Sequence, residues 1–318
     1  MTERDDGGYG ALHAAAGARV VDRDVLSVTG PDSLNYLQGQ CSQDLAPLPV
    51  GGSTEALLLS PQGKIDAVIR VSRVGDESFV IDTDAGCGDG ARARLERFKL
   101  RTKVTIEPIQ WACLSVRGPG AIKGGAPLLP DGAVLVPVVD VPGWTGFDVL
   151  GPAPTGDPAL DGWMPVQAVR CSAEAWEAAR IEAGVPMGGR EITESTIAAE
   201  VGLVERTVSF TKGCFTGQEL VARLDSRGSN VARRLCGVVI AGDSHPPVGA
   251  TVWTTDGAHE VGSLTSVAWS PGHRATVALA TLHRRVVPPA DVQIRWDNGG
   301  SEQAVGAEAR PLPLGPEG

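Results

Sequence analysis

The chain has 318 residues, 42% apolar and 21% charged, a globular composition long enough for two or three domains with real cores. Asp and Glu number 38 against 28 Lys and Arg, and the resulting net charge of −10 excludes a generic nucleic-acid coat, which rests on a basic surface. No uncharged run exceeds 13 residues (261–273), short of the roughly 18–20 that span a bilayer, and the acidic start MTERDD lacks the marks of a signal peptide; a soluble cytoplasmic protein is expected.

The first ten residues and the last ten or so (ARPLPLGPEG) are Gly/Pro-rich or polar and read as loose ends. VLSVTG (25–30) reads as a short strand. In PDSLNYLQG, Pro31 suits the first position of a helix with Leu34 and Leu37 one turn apart. KIDAVIRV (64–71) alternates, with Ile65, Ala67, Ile69 and Val71 on one face, and Gly75-Asp76 turns it back into SFVID (78–82). DGARARLERFKL (89–100) predicts a basic amphipathic helix with Leu95 and Phe98 as its apolar stripe, and KVTIEPI returns as a strand. The Pro/Gly-rich stretch 134–163 reads as a hairpin plus connecting loop. SAEAWEAARIEAG (172–184) predicts a helix from N-cap Ser172 to Gly184. To about residue 232 this is an α+β pattern with hairpins. Beyond it, LCGVVIA, ATVWTT, EVGSLTSVAW, ATVALATL and VQIRW are short β-rich runs that suggest a small antiparallel barrel or sandwich.

Most familiar motifs fail. QGK (62–64) has the Gly-Lys of a phosphate-binding loop, but Leu58 replaces its first glycine and Ile65 its Ser/Thr. GCGDG (86–90) lacks the strand-to-helix context of a dinucleotide site and reads as a turn. With no G-x-S-x-G and no H-E-x-x-H, hydrolase and metalloprotease chemistry have no support. The six cysteines lie at least 22 residues apart and no histidine has a metal-site spacing to one, so buried reduced thiols are expected and a preassembled zinc site is not.

SFTKGCFTGQELVARLDSRG (209–228) has unusual content. Thr216 and Glu219 stand in capping-box register before a helix with Leu220, Val221 and Leu224 on its apolar side. Cys214 then lies just before a helix N-terminus and near Lys212, both of which favour a thiolate. Gly213 and Gly217 leave the backbone bare for close approach by a ligand or partner. The plainer alternative is a helix start with a buried cysteine and two turn glycines. Two basic islands also stand out. Residues 92–103 carry a net +5, and 205–234 (Arg206, Lys212, Arg223, Arg227, Arg233, Arg234 against three acids) a net +3, leaving −18 for the rest. They are either solvated helix faces or an anion site for a polyglutamate tail, a phosphate or an RNA backbone.

KGCFTGQE closely resembles the K-G-C-Y-x-G-Q-E signature of the YgfZ family, folate-binding proteins related to the T-protein of the glycine cleavage system. LSVTGPDSLNYLQGQCSQDL, LLLSPQGKIDAVIRV, LERFKLRTKVTIE, RIEAGVPMGGREI and LVERTVSFTKGCFTGQELVARLDSRGSNVARRLCGV resemble its successive blocks, in order, over most of residues 20–240. Phe215, where Tyr is commoner, keeps the ring and loses the hydroxyl. The resemblance implies two intertwined ferredoxin-like α+β subdomains (1–232) and a C-terminal antiparallel β-barrel (233–318), a cloverleaf around a central tetrahydrofolate site. It also implies that Glu182, in the R-[LI]-E-A-G block, holds the pterin, since a carboxylate accepts two parallel N–H bonds. The plainer reading of Glu182 is a water-exposed residue at a helix C-terminus. T-proteins carry an Asp-Asp pair where this chain, aligned on Gly63, has Ala67 and Val68; Asp66 stands one residue early, a slip expected to put it on the opposite face of the strand.

The resemblance therefore implies a tetrahydrofolate-binding protein that supports assembly or repair of iron–sulfur clusters in client enzymes, including tRNA-modifying ones. Cys214 would be the working thiol and Lys212 its electrostatic activator. Glu182, Gly213, Gly217, Gln218, Glu219 and Arg223 form the candidate cofactor-binding set, and no metal site is expected. The basic clusters would take the glutamate tail, an acidic partner or tRNA. A folate-dependent aminomethyl or one-carbon transferase and a non-catalytic tRNA- or enzyme-binding adaptor are the alternatives.

Overall fold

The computed structural model describes residues 6–123, 129–138, 141–152, 160–165, 167–225 and 230–315. Their strands form two five-stranded mixed α+β layers and a closed six-stranded antiparallel barrel. The first sheet contains β1 (Gly17–Val21), β7 (Trp111–Arg117), β8 (Val134–Val138), β9 (Gly146–Pro152) and β10 (Val169–Arg170), in the order β10-β1-β7-β9-β8. The second contains β2 (Arg23–Thr29), β3 (Ser53–Leu59), β4 (Ile65–Gly75), β5 (Ser78–Asp84) and β6 (Thr105–Ile109), in the order β3-β4-β5-β2-β6. Asp22 alone separates β1 from β2, so the chain passes from one sheet to the other within a single residue.

Helices α2 (Ser33–Gln40) and α3 (Gly88–Arg97) cover one face of the second sheet, where Leu37 and Leu95 pack with Leu58, Ile69 and Phe79. Helix α2 begins at Ser33, after the Pro31 that composition favoured. Phe98 lies just past the end of α3 and Leu100 is exposed, so Ala91 and Leu95 carry that helix's contact with the core. On the first sheet, α1 (Tyr9–Ala14) and α4 (Pro119–Lys123) supply Leu12 and Ala121 to neighbouring apolar clusters. Tyr9 is buried, so the chain's described start is docked rather than loose. Helix α5 (Ala173–Ala183) is capped as its sequence requires: Ser172 accepts from Ala175 N at 3.1 Å, and Gly184 ends it at φ 74°.

The expected alternation of β4 breaks at its start. Leu58 pairs with Ala67 but Leu59 pairs with Ile65, so Asp66 is an extra residue in a β-bulge. Ala67, Ile69 and Val71 enter the core under α2 and α3, whereas Ile65 enters the opposite cluster with Leu57, Leu59 and Leu203. The bulge therefore separates Ile65 from the three residues that sequence periodicity grouped with it.

The barrel comprises β11 (Arg233–Ile240), β12 (Thr251–Thr254), β13 (Glu260–Ser270), β14 (Ala275–His283), β15 (Ala290–Asp297) and β16 (Glu302–Arg310), in the closed order β11-β14-β13-β12-β15-β16. Closure removes the exposed edges that an open sheet would present. Strand β16 escaped the sequence reading because EQAVGAEAR holds one β-branched residue and its end was assigned to the loose tail. Val238, Ile240, Val252 and Ile294 fill the barrel, while Val239, Val277 and Leu279 on its outer wall receive Ala175, Ala178 and Ile181 of α5.

Candidate functional site

A cavity of about 290 Å³ lies between the two sheets. Its walls come from β1 to β5, β7 to β9, α5 and the segment 185–187, with Trp144, Trp176 and Met187 among the apolar groups. The two indoles meet edge to face at 4.9 Å, and the Arg117 guanidinium lies 5.4 Å from the Trp144 ring. Five arginines of the described residues line the space: Arg23, Arg70, Arg117, Arg180 and Arg206.

Each of these cations has an acid. Arg23 bridges Asp82 (2.8 Å) and Asp84, Arg70 bridges Asp82 (2.6 Å) and Asp148, and Arg117 reaches Asp148 at 2.6 Å. Burial opposes ionisation of Asp148, but Arg117 and Arg70 outweigh it and hold the carboxyl well below the ordinary carboxylate range. Arg180 takes Glu177 at 2.7 Å, Glu191 at 3.3 Å and the barrel's Ser266 Oγ at 2.6 Å; Arg206 takes Glu55 at 2.7 Å. Despite its arginines, the wall is electrostatically balanced. Sequence reading missed this row because Arg70 falls on the polar face of an alternating strand, and that face is buried by the first sheet.

The signature loop lies elsewhere. It runs from α6 (Val204–Thr207) to α7 (Gln218–Asp225) and is fixed to the end of α2 by Ser209 N to Ser42 O (3.0 Å) and Ser42 Oγ to Thr207 O (2.6 Å). Lys212 is buried, and its Nζ donates to the carbonyls of Gln38 (2.6 Å), Cys41 (2.7 Å) and Gln43 (2.8 Å), with Phe215 5.4 Å away. Burial lowers the pKa of that ammonium, and a helix C-terminus is where a cation finds carbonyls in need of a donor. Lys212 therefore anchors the loop inward, and the expected contact with the thiol is replaced by these three bonds. Cys214 and Gly213 are exposed on the outside of the loop.

Helix α7 starts at Gln218, one residue later than the Thr216/Glu219 capping box predicts, because Gly217 has a left-handed φ of 83°. A Cβ on Gly217 would lie 2.7 Å from Ser60 O, so this glycine admits the end of β3 rather than a ligand, while Gly213 has open space. Glu219 and Arg223 are exposed on α7 and Gln218 is half-buried. None of Gly213, Cys214, Gly217, Gln218, Glu219 or Arg223 lines the cavity; Phe215, Leu57, Leu59 and Val208 pack near the loop with Leu203, which does. Arg227 lies outside the described residues.

Glu182 is not at the cavity either. It follows Arg180 by two positions on α5, which turns it to another side of the helix. There the Tyr9 hydroxyl donates to it at 2.9 Å and His13 Nε2 stands 3.2 Å away. Burial opposes its ionisation, but bonds from His13, Ser270 and Tyr9 prevail and keep its pKa below the usual value. At the position of the T-protein aspartate pair, Ala67 is in the core and Val68 lines the cavity. Asp66 pairs with Arg94 (3.0 Å) of α3, and because of the bulge it shares the side of Ala67 instead of opposing it.

Burial pushes the thiols of Cys41 and Cys113 up to about 12 and that of Cys236 up to about 11, and Cys171 and Cys87 are raised as well. Cys214 is the one exposed cysteine of the six.

Two family models match the chain, the GCVT N-terminal domain over residues 18–129 and the glycine cleavage T-protein C-terminal barrel domain over 233–311, together more than half of it. The chain belongs to the glycine cleavage T-protein family. Within this family it is 31% identical over 222 residues to the "tRNA-modifying protein YgfZ" of Klebsiella pneumoniae, covering 65% of this chain and 66% of that protein. It is 27% identical over 228 residues to the "iron-sulfur cluster assembly factor IBA57 homolog, mitochondrial" of Neurospora crassa, covering 66% of this chain and 50% of the relative. The alignments thus span about two thirds of the bacterial relative and half of the fungal one. The crystal structure of the glycine cleavage system aminomethyltransferase T from Bartonella henselae shares the fold, with a TM-score of 0.78 at 20% identity over 96% of this chain and 88% of that one.

Proposed function

We propose that this chain binds tetrahydrofolate in the cavity between its sheets and uses Cys214 to support assembly or repair of iron–sulfur clusters in client enzymes, including tRNA-modifying ones. One observation carries the reading: a single exposed thiol stands on a loop held rigid from below by Lys212. The cavity suits the flat ring of a folate, with Trp144, Trp176 and Met187 as apolar walls beside rows of polar groups, and its volume is near the lower end of small-molecule sites, roughly 300–1,000 Å³. Bound tetrahydrofolate supplies one-carbon carriage and an oxidisable ring. The residues lining the cavity would surround that ring. Glu182 would reach a pterin only by giving up Tyr9, His13 and Ser270.

One thiolate does not hold a cluster by itself, since clusters take about four ligands, so Cys214 acts by transient ligation, exchange or docking. The one-carbon transferase reading is disfavoured, because Val68 offers the cavity no carboxylate where a transferase places one. The RNA-adaptor reading loses two of its cations, since Arg94 and Lys212 are engaged inside the protein. The test is complementation of a deletion strain. Cys214→Ala should fold, yet leave iron–sulfur enzyme activities low; full restoration by this variant would remove the thiol from the mechanism.

A further inference from the structure

We propose that Arg206 is a positioning residue that couples an occupant of the cavity to the loop bearing Cys214; this rests on the folate reading above. Helix α6 is a single turn whose two sides face different things. Leu203, just before it, and Arg206 line the cavity. Thr207 is fully buried on the other side, where its carbonyl accepts Ser42 Oγ at 2.6 Å beside the end of α2. Thr207 also closes the turn, since its N–H and its hydroxyl both donate to Leu203 O, the hydroxyl at 2.6 Å. A turn so short and so closed moves as one piece, so a displacement of Arg206 is felt at Thr207.

From α6 the contacts reach the signature loop without a gap. Gln43 Nε2 donates to Arg206 O at 3.2 Å, and the Gln43 carbonyl accepts Lys212 Nζ at 2.8 Å. Ser42 holds Thr207 through its hydroxyl and Ser209 through its carbonyl, the latter at 3.0 Å. Cys214 follows Lys212 by two residues on this anchored loop. Such a chain carries coupling when one of its ends can change state. The cavity end can. Arg206 Nε stands 2.7 Å from Glu55 Oε2 without the alignment of a hydrogen bond, and this buried N–H finds no acceptor among the described residues. An unmet buried donor is costly, so a ligand acceptor at this wall is favoured to draw the guanidinium into line. That bond fixes Arg206 and, through α6, removes freedom from the loop, which couples the two places by ordering alone.

Amide hydrogen exchange on the full chain tests the coupling. Wild type, Arg206→Lys, Arg206→Met and Glu55→Gln, each first shown to be folded by its urea midpoint, are compared with and without saturating tetrahydrofolate. In wild type the ligand should slow exchange across residues 204–214 at least about fivefold, the low end of ordinary coupling between sites, and should slow alkylation of Cys214. Arg206→Met should bind the ligand yet exchange through the loop at one rate with and without it, while Arg206→Lys, which keeps the cation, retains part of the response. A merely structural Arg206 would raise exchange equally in both states and leave the effect of the ligand intact. Tetrahydrofolate bound by wild type with no change in loop exchange overturns the coupling and leaves the folate reading standing, as does a full response in Arg206→Met. If wild type binds no tetrahydrofolate, the folate reading falls and the unliganded variants decide. Unless Arg206→Met and Glu55→Gln, which disturb the contact from α6 and from β3, both accelerate loop exchange at least about threefold, the coupling falls as well.

Discussion

Replacing Lys212 by Met separates two roles that the same residue was expected to combine. In the structure its ammonium satisfies three carbonyls at the end of α2, at 2.6 to 2.8 Å, and packs against Phe215. A hydrogen bond from a charged donor contributes about 1.5–3 kcal/mol, and an unmet buried carbonyl costs about 1–3 kcal/mol. Three carbonyls share one ammonium, and water will reach part of the opened site, so the substitution should cost about 3 kcal/mol. Urea unfolding should show a lower midpoint with an unchanged slope, because the native and unfolded surfaces hardly change. Amide exchange should accelerate through residues 209–217, which lose their tie to α2. An unaltered midpoint and unaltered exchange, together with slower alkylation of Cys214, would show that Lys212 acts on the thiol and that the anchor is dispensable.

Mass-spectrometric mapping with a thiol reagent at neutral pH should find Cys214 labelled first and Cys87, half-buried and raised, well behind it; early labelling of Cys41 or Cys113, whose thiols burial pushes up to about 12, would contradict the packing. Gly217→Ala, at φ 83° and 2.7 Å from Ser60 O, should cost at least about 1–2 kcal/mol in a denaturant titration, whereas Gly213→Ala, with open space at its Cβ, should stay within about 1 kcal/mol of wild type. Glu182 has a lowered pKa, so its contribution is present above the ordinary carboxylate value and disappears as pH falls through its folded value. The protection of α1 amides, corrected for the intrinsic exchange rate at each pH, should therefore fall on acidification, and Glu182→Gln should flatten that dependence.

Much of the fold was legible because its signals are local. The Ser172 cap and Gly184 stop bound α5 within one residue, and the β-rich runs after residue 232 form the barrel apart from the weakly β-prone β16. The signature loop was also legible as a place, since Lys-Gly-Cys before an apolar helical pattern marks a loop and its following helix. What was not legible is which way side chains turn once segments far apart in sequence meet. Lys212 looks toward Cys214 in the sequence but toward Gln38 in space, 174 positions away. Arg70 reads as a solvent-facing residue until a second sheet covers it. Glu182 was drawn to a ligand by its motif, whereas Tyr9, outside every recognised block, holds it.

The bulge at Asp66 bears on how the chemistry of such a cavity changes over evolutionary time. Were the ladder regular here, Leu59 would pair with Asp66 instead of Ile65, and the Asp66 carboxylate would join Val68 on the cavity side. A one-residue change of register in this strand thus turns an acid toward or away from the cavity side. Counting residues from Gly63 therefore does not by itself tell which side of this strand an acid faces. For this strand, the side a residue faces is set by the bulge as well as by its place in the sequence.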